Sequence, residues 1–151
     1  MPHDGRQGNR QGNRPSGQRP EGPPVARADY FDDKDNLKKE WVDDEADAVA
    51  KNLGDEKLKS AQLRRFYSEV KTLERIWMTR GQSEDAFAEL LPQIKILKAK
   101  AIYARERGVT GDYFQRWLAE HVNAVNTAKA FGAFLLHFEA VVGFSKQYLK
   151  D

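Results

Sequence analysis

Catalysis needs polar side chains held together, and this chain offers few groupings that qualify. Its three histidines, His3, His121 and His137, lie far apart, and no two stand at metal-binding spacing. It has no cysteine, which excludes disulfide scaffolds, zinc fingers and thiol catalysis. Glu139 follows His137 by two positions. On a helix those positions point to different faces, so the two form no acid–base pair and each reads as a satisfied polar group in or near the core. No serine sits in a GxSxG context, and no glycine-rich loop ends in GK[ST]. The carboxylates crowded between Asp29 and Glu56 lack the spacing of a calcium loop. These features predict a protein that is not an enzyme and holds neither cofactor nor metal.

The cations are better organised. Arg64, Ser68, Lys71 and Arg75 recur at i, i+4, i+7 and i+11, one straight helix face about 16 Å long at 1.5 Å per residue. Such a row spans several phosphates of one strand. Lys98 with Arg105, and Lys100 with Arg107, add two i, i+7 pairs. There is no helix-turn-helix spacing, RNP motif or GXXG loop, so any nucleic acid would be read through its backbone and shape. The same residues also read as a solvated, ion-paired surface, Lys71 with Glu74 for example. The alternative is therefore a helical adaptor that binds only protein.

The elements that must carry these residues follow from hydrophobic period. No segment alternates over a strand's length, and every long segment repeats near 3.6, which predicts an all-α bundle of five to six helices. An acidic helix is expected from Lys34 to Asn52, ended by Gly54. The next starts at Ser60 as N-cap and runs to Thr79, with Leu63, Phe66, Tyr67, Val70, Leu73 and Trp77 inward. Ser83 starts another, in which Pro92 either makes a kink or opens a new helix. Gln93 to Arg107 is apolar on several faces and is expected to be central. Gly111-Asp112 opens a helix through Asn126, and Thr127 caps a last one ending near Lys150. Ala130 to Phe144 is the most apolar run, too short for a membrane span, and reads as a core helix.

Charge divides the 151 residues into three parts. Residues 1–28 hold five of the six prolines and five arginines, with almost nothing to bury, and are expected to be a disordered tail. Residues 29–56 carry eleven acidic groups against four lysines, and residues 57–151 carry sixteen basic against ten acidic. The domain proper is thus 29–151, an acidic first helix on a basic body whose balance suits phosphate. The N-terminus has no apolar stretch of signal-peptide type, and no run reaches membrane length, so a cytoplasmic protein with no membrane partner is expected.

Four stretches, in order, resemble one known family. They are Trp41-Val42-Asp43 with the alanine-rich acidic helix; Leu58 to Tyr67, a capped helix start with Arg64 and Arg65; Leu97 to Glu106, Leu-Lys-Ala-Lys-Ala-Ile-Tyr-Ala-Arg-Glu; and His137 to Tyr148, containing Glu-Ala-Val-Val-Gly-Phe. Together they resemble the small subunit of the type III-A CRISPR effector, the Csm complex, over Asp29 to Asp151. The resemblance implies a non-catalytic helical bundle in an antiviral ribonucleoprotein. Several copies stack head to tail beside the backbone subunits and line the channel that holds guide RNA paired to target RNA, cleavage belonging to the large and other subunits. It points to Arg64, Arg65, Lys98, Lys100 and Arg105 as RNA-backbone contacts. The stripe adds Lys71 and Arg75, for which the resemblance does not vouch, and it leaves out Arg65. Opposite charge on the two parts suggests that Asp43, Asp44 and Asp47 meet a basic patch of the next copy or of a backbone subunit.

Overall fold

The computed structural model describes residues 22–151. Among these, six α-helices follow a 3-10 turn at Lys39–Val42: α1 (Asp44–Asp55), α2 (Ser60–Thr79), α3 (Glu84–Lys95), α4 (Leu97–Glu106), α5 (Asp112–Ala124) and α6 (Ala128–Ser145). The only pairing of extended backbone among the described residues is a single bridge, Phe31 to Leu37. The all-α expectation holds.

The core forms around α6. Ala130, Phe131, Phe134, Phe138 and Val141 are buried along it, and α1, α2 and α5 pack on successive sides. By length and composition α6 could cross a membrane, but 56% of it is buried inside the bundle, which identifies it as a core helix. Trp117 and Phe114 of α5 complete an aromatic interior, Trp117 meeting Phe138 edge to face at 5.0 Å.

Several expected boundaries move. Residues 1–21, most of the expected tail, lie outside the described residues. Gly22 to Ala28 lie along α5: Arg116 Nη2 donates to the Pro23 carbonyl (3.0 Å), and Glu120 accepts from the Ala28 amide (2.8 Å). These i, i+4 side chains give backbone groups of a proline-rich segment partners that composition does not reveal. The acidic helix begins ten residues later than Lys34. Asp32 Oδ1 accepts from the amides of Lys34 and Asn36 (2.9 Å each), and Asp35 takes a positive φ of 67°. This side-chain-to-backbone turn competes with helix.

Gly54 lies inside α1 and does not end it. A Cβ there would stand 2.8 Å from the Tyr148 Cβ and carbonyl oxygen, so its role is to admit the C-terminal segment. Ser60 is the first helical residue rather than the cap, and its buried amide donates to the Lys150 carbonyl (2.8 Å). Ser83 and Thr127 do cap, accepting from the amides of Ala86 and Ala130 at 3.0 Å. Pro92 falls in the last turns of α3, and the break comes after Lys95. The final helix stops at Ser145, with turns beyond it. Gly132 and Gly143 leave open space where a Cβ would sit, so neither is demanded by close packing.

The largest correction concerns α4. It is peripheral, not central. Leu97, Ala101 and Ala104 are buried, while Ile96, Ile102 and Tyr103 are 53%, 44% and 66% exposed. Periodicity could not show that this apolar helix lacks a partner on its outer side.

Candidate nucleic-acid interface

α2 and α4 flank an open groove of about 320 Å³. Gln62, Arg65, Phe66 and Glu69 line one wall; Ile96, Ala99, Lys100, Tyr103 and Arg107 line the other. A second hollow shares Glu69, Ile96 and Lys100 and extends the groove toward Ile76 and Gln93. Helical period explains the grouping. Gln62, Arg65 and Glu69 recur every three to four residues on one flank of α2, as do Lys100, Tyr103 and Arg107 on α4. Lys100 Nζ donates to Glu69 Oε1 at 2.7 Å, tying the walls together. The Arg107 guanidinium lies 5.6 Å from the centre of the Tyr103 ring. Three cations against Glu69 leave the groove positive.

The seven expected cations do not share one face. Arg65 and Lys100 line the groove. Arg64 lies about 100° round α2 from Arg65, as adjacent residues must, and shares the outer stripe with Lys71 and Arg75. Arg64 and Arg75 are exposed, and among the described residues neither has an ion-pair partner. Lys71 Nζ holds Glu74 at 2.6 Å, and this hydrogen bond raises its pKa. Lys98 and Arg105 occupy the opposite flank of α4, against α5. Lys98 Nζ donates to Asn123 Oδ1 at 2.6 Å. Arg105 bridges to Glu106 (2.9 Å) and Asp112 (3.7 Å) and donates to Gln115 Oε1 (2.8 Å). The two i, i+7 pairs of α4 therefore straddle its exposed apolar edge. Arg107 entered the sequence reading only as the i, i+7 partner of Lys100, and Tyr103 was not expected as a site residue. Their signal was available as the i, i+3, i+7 spacing of Lys100, Tyr103 and Arg107.

The two buried histidines are tied into the fold. His137 and Glu139 diverge as expected, but only His137 is a buried, satisfied group; Glu139 is exposed, not in or near the core. Trp117 Nε1 donates to His137 Nε2 (3.2 Å), so His137 Nδ1 carries the proton and donates to the Trp41 carbonyl (2.6 Å). His121 stacks on His137 at 4.5 Å, and its Nδ1 meets the Tyr30 hydroxyl at 2.7 Å. Burial lowers the His137 pKa to about 4, opposed by the Trp41 hydrogen bond. Burial, reinforced by His137, pushes His121 well below the usual range. This pair fastens the segment from Tyr30 to Trp41 onto α5 and α6. Among the described residues no three metal-ligating side chains cluster.

A second clamp also escaped sequence reasoning. The Glu56 carboxylate accepts from the amides of Tyr113 and Phe114 at 2.9 Å each, capping α5 from the end of α1. Gly111 must be glycine for this, because a Cβ would stand 2.3 Å from Glu56 Cδ. Asp47, expected on an interaction face, accepts from the Tyr148 hydroxyl at 2.8 Å, while Asp43 and Asp44 are exposed.

The helical body, the acidic first helix and the cationic groove can be set beside known families. The model of Csm2, type III-A, matches residues 36–151. This chain belongs to the Csm2 family. Csm2 is the small subunit of the type III-A CRISPR effector, a structural component that assembles with the other Csm subunits. No curated protein and no solved structure gives a significant match. In this Csm2 the matched span starts at Asn36 and includes every cation of the candidate interface.

Proposed function

We propose that this Csm2 is a non-catalytic subunit that holds the guide RNA and target RNA by their sugar–phosphate backbone, without reading sequence. The observation that carries the reading is the convergence of Arg65, Lys100 and Arg107 on one open groove. Cations carried on helices, with Gln62 the one amide among them, suit phosphate contact with specificity left to base pairing. Arg64, Lys71 and Arg75 form a second row on the outer edge of α2, and Lys98 and Arg105 a third beside α5. In this reading they serve neighbouring phosphates or neighbouring subunits.

Several copies stack head to tail, a heterologous contact between unlike surfaces. Two features support this. The exposed carboxylates Asp43 and Asp44 oppose the positive body in charge. A shallow apolar hollow lined by Leu37, Val42, Leu136 and Ala140 lies beside the 3-10 turn, with Leu136 49% exposed. That hollow is also the feature that favours the second reading, an adaptor touching protein alone.

A salt titration separates the two. With the double variant Arg65→Ala, Lys100→Ala in the assembled complex, RNA affinity is expected to fall by similar factors for unrelated sequences. The salt dependence should lose about 0.7 in slope per phosphate contact removed on a single strand. Unchanged affinity and slope in the double variant would remove the groove from the RNA path. A complex whose RNA affinity is indifferent to every cation named above would favour the adaptor.

A further inference from the structure

Phosphate contact explains the cations of the groove but not its apolar wall. Ile96, at the N-cap of α4, and Ala99 and Tyr103 on it recur at i, i+3 and i+7, and all three are exposed. Tyr103 is 66% exposed and lines the groove together with exposed Ile96, so the apolar surface there is contiguous, not a single scattered residue. No hydrogen bond of the Tyr103 hydroxyl occurs among the described residues. Its neighbours are cations: Lys100 three positions before it, and Arg107 with its guanidinium 5.6 Å from the ring centre. An aromatic face inside a cationic groove is the arrangement with which proteins hold unpaired bases, the cations tracking the strand and the ring receiving a base.

We propose that Tyr103 is a nucleobase-stacking site: an unpaired base lies on its exposed face while the flanking phosphates meet Arg65, Lys100 and Arg107. The ligand class is a single-stranded or bulged ribonucleotide with little preference among bases, because every base presents a π-face and Gln62 is the one amide side chain lining the groove. Arg107 acts as a positioning residue, its guanidinium lying 5.6 Å from the ring centroid. Charge favours a nucleic acid over a protein helix as occupant, since Glu69 is the one carboxylate lining the groove and it is already paired to Lys100. The proposal rests on the RNA reading above and adds a base-dependent contact to it.

The test uses the full chain with three RNA probes of one length: a single strand carrying 2-aminopurine, the same strand with abasic spacers at its centre, and a full duplex. The expected result for Tyr103→Ala is a loss of about 5- to 150-fold on the base-bearing strand, from the stacking energy of one base. The same variant should bind the abasic strand and the duplex as wild type does. Tyr103→Phe should retain affinity, and wild type but not Tyr103→Ala should quench 2-aminopurine. Tyr103 is exposed, so its loss leaves the core intact. Equal losses on base-bearing and abasic strands would overturn stacking while leaving backbone binding in place. Salt-insensitive or absent binding by wild type to all three probes would overturn the RNA reading and the stacking site together. Loss of subunit assembly in Tyr103→Ala with RNA affinity unchanged would overturn stacking and assign this edge of α4 to a protein partner.

Discussion

Lowering the pH tests the buried histidine pair, because the fold relies on both rings being neutral. His137 accepts from Trp117 Nε1 and donates to the Trp41 carbonyl, so adding a proton to Nε2 abolishes the first bond and buries a charge. Its pKa is about 4 in the folded chain against 6.5 unfolded. Between those values the unfolded chain binds more protons than the folded one, so stability falls as pH drops from 6.5 and the loss is complete below about 4. At about 1.4 kcal/mol per pH unit the window removes about 3 kcal/mol. His121, 4.5 Å away and also pushed down, adds to the loss in the same direction. That is a large share of the ~5–15 kcal/mol that holds an ordinary domain. The assay is urea unfolding followed by tryptophan fluorescence at several pH values between about 7.5 and 4.5. The upper part of this range lies above ordinary carboxylate titration, so a slope there belongs to histidine. Hydrogen exchange should show residues 30–41 opening early, since both rings bind that segment. Stability that stays level from pH 7 to about 5, or a His137→Gln variant with an undiminished slope, would refute the assignment.

Three further outcomes follow from contacts and exposure. Glu56→Ala should cost about 2 kcal/mol, the range for hydrogen bonds to a charged group, seen as a lower unfolding midpoint. Gly111→Ala should cost a similar amount alone but little in the Glu56→Ala background, because the colliding carboxylate is then gone; additive losses would disprove the clash. Reversal of Asp43 and Asp44 to lysine should weaken complex recovery without changing the monomer's melting, since both are exposed; unchanged recovery would count against an acidic docking face. Asp47 is unsuited to that experiment, because its bond to Tyr148 makes it part of the fold.

Much of the helical plan was legible because it is local. Caps at Ser83 and Thr127, the stop at Thr79 and the buried stripe of α2 depend on a few neighbouring residues. The first helix was misplaced where a local side chain, Asp32, competes for the backbone. The C-terminal boundary moved because Ser60 and Gly54 serve contacts with Tyr148 and Lys150, nearly a hundred residues away. The candidate site was legible as an inventory of cations and not as an arrangement. A stripe read along α2 picked Arg64, Lys71 and Arg75, yet the groove takes Arg65.

The sequence by itself determined the helical class, the absence of cysteine and metal-spaced chemistry, the reversal of charge near residue 56 and the set of available cations. Each is a property of composition or of period along one helix, and needs no partner. Tertiary packing alone decided which flank of α2 faces which flank of α4 across the groove, that α4 keeps an exposed outer face, and that two histidines sixteen positions apart stack in the core. A helix offers every flank at once, and only its neighbours select the one that becomes a wall, a core or a surface.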